Sequence, residues 1–109
     1  MIYHITTRAA WAQAQQNDTY RAESLAQIGF IHFSRQDQVV RTANTYYAGQ
    51  HDLVLLVVDP ARLENDLRYE PPAEAPDSDQ RFPHLYGALN LDAVVRVVEF
   101  PPEADGNWS

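Results

Sequence analysis

The sequence predicts a single α+β domain, and three observations lead to that class. Segments of helical periodicity fall mainly in the first half of the chain and short β-branched apolar runs mainly in the second, an order that suits α+β better than a regular strand–helix alternation. The run Asp52-Leu-Val-Leu-Leu-Val-Val-Asp59 is apolar throughout between its acidic ends, as expected of a central strand buried on both faces. The chain has 109 residues, of which 45% are hydrophobic, enough for one modest core and too much for a disordered chain.

Each element follows in order. Ile2 to Ile5 reads as a short strand, and Thr7 as the cap of a helix that begins near Arg8 with Trp11 and Ala14 on one side. Arg21 to Ile28 reads as a shorter helix closed by Gly29 in the left-handed position past its last turn. Phe30 to Phe33 is then a strand. Ser34-Arg35-Gln36-Asp37 has the form of a capping box with an acid in the third helical position. Val39, Val40, Ala43, Tyr46 and Tyr47 follow as one apolar helical stripe ending at Gly49. Leu67 to Glu70 is a further short strand, and Pro71 to Arg81 an exposed loop rich in Pro and Asp. Phe82 to Gly87 returns to the core, and Ala93 to Phe100 is the last strand. The domain is expected to span residues 1–100, with 101–109 a polar tail that frays unless Trp108 docks.

Composition removes several chemistries. There is no Cys, hence no disulfide, thiolate nucleophile or Cys-based zinc site. The eight basic residues are all Arg, which excludes Schiff-base chemistry and a P-loop lysine. Against fifteen acids they leave a net charge of −7, carried by residues 51–109, whereas residues 1–50 are close to neutral. A duplex-binding protein needs a basic stripe; none is present, so duplex DNA is excluded and any anionic ligand is expected at the N-terminal half. The longest apolar run, Leu53 to Val58, is far too short to span a membrane, and no secretory signal is visible. A soluble, cytoplasmic protein is the expectation.

Three of the four histidines share a spacing. His4 with Thr6, His32 with Ser34 and His84 with Tyr86 each place an imidazole two residues before a hydroxyl, on one face wherever the segment is a strand. After the first two, a helix is expected within two residues, and its free N–H groups would favour an anion. Imidazole can donate to an oxyanion and move a proton near neutral pH, so His4, His32 and His84 are the candidate catalytic groups. The plainer alternative makes them satisfied core or edge histidines, with Thr6 and Ser34 as helix caps. A three-histidine metal site is conceivable, but no close-spaced ligand pair supports it and no metal is expected. Glu70 and Asp59 fit a general base or a strand-end cap. Tyr46, Tyr47 and Trp11 would stack on an adenine or nicotinamide if they lined a pocket, though their helical spacing favours core packing. His51, beside a Gly-Gln turn, is expected to be solvated.

The segments IYHIT, Ser24-Leu25, GFIHFS (29–34), the Gln38–Gly49 helix with Ala43-Asn44 and Tyr46-Tyr47, DLVLL from Asp52, and FPHLYG (82–87) together resemble the bacterial family catalogued as domain of unknown function 952. The resemblance runs from Ile2 to about Phe100. It implies a fold similar to ADP-ribosyltransferases and RNA 2′-phosphotransferases: two small mixed or antiparallel sheets around a cleft, with N-terminal helices packed on them. Members of that wider group bind NAD between the sheets, holding it with a His or Arg on an early strand and a second polar residue on the next. By position His4 matches the first role, and His32 with Ser34 the second. The third catalytic position is open between His84 and Tyr86, with Glu70 earlier and Glu99 later. The resemblance therefore implies NAD or another nucleotide phosphate as ligand or substrate, with no required cofactor. Thr6, Ser34, Tyr46 and Tyr86 would line the binding site, and a non-catalytic module for a small metabolite or partner is the alternative. The lack of an alignable late-strand Glu argues against glycosidic chemistry on protein substrates, and the acidic C-terminal half against tRNA.

Overall fold

The structure is a computed structural model that describes residues 1–109. Strand β1 (Ile2–Thr7) leads into helix α1 (Arg8–Asn17), followed by α2 (Glu23–Ile28), β2 (Ile31–His32), α3 (Val39–Tyr46), β3 (Leu53–Val58), β4 (Asp66–Glu70), β5 (Phe82–Tyr86) and β6 (Val94–Glu99). The class is α+β. One antiparallel sheet has the order β1-β3-β6 and a second the order β2-β5-β4.

β3 is central in the first sheet, and all six of its residues are buried, which is why its sequence shows no alternation. Val54, Leu56 and Val58 join Ile2, Ile31, Leu85 and Leu89 in the larger core cluster, against which Ala10 and Trp11 of α1 and Leu25 of α2 pack. Leu53 and Leu55 face the other way and meet Val39 and Ala43 of α3, together with Trp108. The C-terminal segment thus docks at its end: Trp108 is buried and stacks on Phe100.

Local rules explain several element ends. The Thr7 hydroxyl accepts the Ala10 N–H at 3.0 Å and caps α1. Gly29, at φ +89°, closes α2 with its N–H on the Leu25 carbonyl. α2 starts two residues later than its sequence suggests, because Tyr20 is held in a bridge to Leu89 and the chain leaves it extended. The capping box at Ser34 does not form. Ser34 is held extended by an isolated antiparallel bridge to Tyr3, whose N–H groups donate to each other's carbonyls at 2.9 and 2.8 Å. α3 therefore begins only at Val39, Ser34 Oγ meets Thr42 Oγ1 at 3.1 Å, and Asp37 pairs with Arg35 rather than with the helix end.

Gly87 closes β5 at φ +151°, where an added Cβ would lie 2.5 Å from Asn65 Cγ. Asn65 cannot yield freely, since its amide donates to the Ala88 carbonyl at 2.8 Å. Gly87→Ala should lose about 2 kcal/mol or more. Gly29→Ala meets nothing within 4 Å and should lose only the left-handed backbone cost of about 1 kcal/mol. Urea midpoints of the two variants check the ranking; equal losses would contradict it. No helix is long and apolar enough to cross a membrane.

Candidate functional site

The Tyr3–Ser34 bridge is the one place where the two sheets meet edge to edge. Beyond it the strands part. The Phe33 N–H turns to the Pro83 carbonyl of β5, so by strand geometry the His32 carbonyl points back toward β1, whose backbone no longer reaches it. The His4 side chain fills that gap, with Nδ1 2.5 Å from the His32 carbonyl oxygen. A carbonyl only accepts, so Nδ1 carries the proton. Nε2 is then the acceptor for the Tyr20 hydroxyl at 2.8 Å, and the Tyr20 and Thr6 hydroxyls share a further bond at 3.0 Å. Burial, with a lowering contribution from the His32 ring, takes the His4 pKa to about 4 against the raising effect of its bond to the His32 carbonyl. His4 is thus neutral near pH 7 with both nitrogens engaged.

Two cavities open on either side of this contact. The smaller, about 250 Å³, is walled by the three histidines His4, His32 and His84, by Ser34 and Thr42, by Tyr46 and Tyr47 of the α3 end, and by Pro72 and Glu74 of the 71–81 loop. The larger, about 540 Å³, is walled by Thr6, Thr7 and Ala10 where α1 begins, and by Tyr20, Arg21 and Gln27. His4, Ile5, His32 and Tyr47 line both, so the two form one cleft. Arg21 has no carboxylate partner, unlike Arg8, Arg35, Arg62 and Arg68.

His32 stands exposed at the junction. Partial burial and the neighbouring His84 lower its pKa, with Glu74 opposing. Tyr46 leaves the core altogether, being 58% exposed, and its hydroxyl donates to Glu74. That bond holds the Glu74 carboxyl below the usual range. The 71–81 loop is largely exposed as expected, yet it is tied down beside the cleft, with Gln38 Nε2 donating to the Arg81 carbonyl at 2.8 Å. The helix start expected just after His32 is absent, since α3 begins seven residues on; only α1 presents its N-terminus to the cleft.

His84 lies on β5 at 2% exposure. Its Nδ1 is 2.9 Å from Glu70 Oε1, which also accepts the Tyr86 hydroxyl at 2.5 Å. These bonds, that of Tyr86 first, hold the Glu70 carboxyl below its ordinary range. Phe30 stacks on the His84 ring at 4.0 Å, and His32 meets it edge-on at 5.7 Å. His84 Nε2 is buried and has no partner. Tyr86 lines neither cavity; it lies under Arg68 at 4.6 Å and holds Glu70. Trp11 packs at the core edge, and His51 is exposed. No three acidic or imidazole side chains converge as a metal site.

The sequence reading missed Tyr20, Arg21 and Glu74. Nothing in their local sequence marks them, because each reaches the cleft through a loop whose path depends on tertiary contacts.

The fold and site define a class: a small α+β domain with a histidine-lined cleft where two three-stranded sheets part. The profile of the family described as "Protein of unknown function (DUF952)" matches residues 5–97, and the chain belongs to that family. It is similar to the crystal structure of protein CC0527 from Caulobacter crescentus at 36% identity and a TM-score of 0.85, over 97% of this chain and 90% of that one. The solution NMR structure of CC0527 gives 36% identity and a TM-score of 0.80, over 97% and 89%. No curated protein matches.

Proposed function

We propose that the cleft binds a nucleotide of the NAD or ADP-ribose type, in the manner of an ADP-ribosyltransferase-like enzyme or a relic of one. The observation that carries this reading is the joining of two chemically different cavities at His4, His32 and Tyr47. The smaller is aromatic, holds the Glu74 carboxylate and has no Arg on its wall, which suits a flat, cationic ring. The larger holds Arg21, which has no carboxylate partner although Glu23 shares the wall. It also holds the start of α1, where the Arg8 and Ala10 N–H groups are already taken by the Asp52 carbonyl and the Thr7 hydroxyl. Arg21 is the group that suits phosphate oxygens. His32, exposed between them, is placed to give a ring N–H to the bridging phosphates. Ser34 and Thr6 present hydroxyls on the two walls, and Tyr46 is the aromatic for the ring. His4 acts in this reading through position: it pins the strands apart. That both its nitrogens are engaged favours, as a second reading, a binding module without turnover.

Thermal shift with NAD and ADP-ribose tests the proposal. A ligand at about 100 times its Kd adds about 2.7 kcal/mol, which for a domain of this size raises Tm by more than about 10 °C. Arg21→Gln should weaken both ligands about tenfold, the loss of one charge-assisted bond. Glu74→Gln should weaken NAD but leave ADP-ribose, which lacks the cationic ring, unchanged. No shift with either ligand would overturn the reading. A shift without NAD consumption, at any concentration of candidate acceptors, would select the binding module.

A further inference from the structure

We infer that the buried Nε2 of His84 is the acceptor for an N–H of the ligand's flat ring system, so that the smaller cavity selects an aromatic carboxamide or amine over the matching carboxylate. The inference rests on the nucleotide reading for the identity of the larger ligand, but its chemistry comes from one orphaned atom. Glu70 is an ionised carboxylate that accepts two bonds, from His84 Nδ1 and from Tyr86. A carboxylate cannot donate, so the His84 proton sits on Nδ1. The ring cannot turn to exchange its nitrogens, because Phe30 stacks on its face at 4.0 Å and the Glu70 bond holds one edge.

Nε2 therefore carries either a lone pair or a second proton. It is buried with no partner. In the neutral ring, with the proton on Nδ1, Nε2 presents the lone pair. Buried polar atoms are almost always paired in native structures, and an exception points to a missing partner. His84 is one of the residues that wall the 250 Å³ cavity, a volume for one substituted ring and not for a whole dinucleotide. A side-chain shift in the wall would bring Nε2 within reach of a bound ring. The rest of that wall is built against anions. Glu74 supplies a negative charge, and no Arg lines the cavity to meet a carboxylate. A carboxamide or amine brings the N–H that Nε2 lacks; a carboxylate brings only further lone pairs and a like charge. Glu70 acts here as a positioning residue, through the proton it keeps on Nδ1, and Tyr86 through Glu70.

Calorimetric titration of the full chain with NAD and with its deamidated analogue, nicotinic acid adenine dinucleotide, tests this. NAD should bind at least about tenfold more tightly, the equivalent of one hydrogen bond. Equal affinities, or tighter binding of the acid, would overturn the inference while leaving the nucleotide reading intact. If neither dinucleotide binds, the nucleotide reading falls, and benzamide against benzoate decides the inference alone. The ¹⁵N resonance of His84 Nε2 in the free protein should be that of an unprotonated ring nitrogen; benzamide should move it and benzoate should not. A protonated Nε2 in the free protein at pH 7.5, or no response to benzamide, would refute the assignment. Glu70→Gln, which leaves the cavity wall unchanged, should let the proton shift to Nε2 and abolish the preference for the amide; persistence of the preference would show that Glu70 does not set it.

Discussion

Replacing Trp108 by Ala should destabilise the fold by about 3 kcal/mol or more, the usual cost of deleting a large buried aromatic, and lower Tm by more than about 12 °C. The residue lies in the last two positions of the chain, yet it is only 7% exposed. Its ring stacks on Phe100 with centroids 5.4 Å apart, and its indole N–H donates to the Phe100 carbonyl at 3.2 Å. The Asn44 side chain grips its backbone from both sides, accepting the Trp108 N–H at 2.8 Å and donating to its carbonyl at 2.9 Å. Behind the ring lie Val39, Ala43, Leu53 and Leu55, so the indole closes one face of the central strand. Trp108→Phe keeps most of the buried area and should lose only about 1 kcal/mol, the indole hydrogen bond and some packing. Asn44→Ala should fall between the two, since it frees two partly buried backbone groups. Urea titrations measure all three. A Trp108→Ala loss under 1 kcal/mol would mean that the segment is not docked in solution.

That docking shows where local reading stops. The conditional fate of the tail, frayed or anchored by Trp108, is visible in sequence, but the choice depends on Asn44, sixty-four residues away. The same division runs through the fold. β3 is legible because both of its faces are buried and the sequence must be apolar without interruption. The Thr7 cap and the Gly29 stop are legible because they are decided within four residues. Ser34 has the local credentials of a cap, but the bridge to Tyr3 takes its backbone first. In the site, the imidazole–hydroxyl spacing correctly groups His84 with Tyr86 on one face of β5. Their common partner Glu70 depends on register: it stands opposite Phe82 and reaches His84 along the diagonal. That register is set across the 71–81 loop, whose sequence encodes exposure but not path. The pairing of His4 with Tyr20 is hidden for a related reason, since α1 and a turn separate them.

Acidification should uncover what His4 does. Its folded-state pKa is lowered to about 4 by burial, from an ordinary value of 6.5. Between those values the unfolded chain binds a proton that the folded chain refuses, so stability falls as pH falls. The loss begins near pH 6.5, grows through pH 5 and levels off below about pH 4. Two and a half pKa units correspond to about 3 kcal/mol in full, of which about 2 should be gone by pH 5. Protonation would act where the site is made: Nε2 would become a donor, the Tyr20 hydroxyl would turn its proton to Thr6 to accept it, and the charge would sit buried in the gap between the sheets. His32 adds a smaller slope of the same sign, since its pKa is lowered too, by partial burial and by His84. The carboxyls of Glu70 and Glu74, held below their ordinary range, add theirs only at lower pH, where they protonate. The contribution of His4 is isolated by His4→Gln, whose amide can still donate to the His32 carbonyl and accept from Tyr20 but does not titrate. At pH 7.5 the variant should be the less stable protein, by about 1 kcal/mol for imperfect bonds. By pH 5 the order should reverse, because only the wild type has a buried imidazole to charge. A gap between the two proteins that stays constant from pH 7.5 to pH 5 would show that His4 titrates normally, and that the neutral ring does not hold the cleft open.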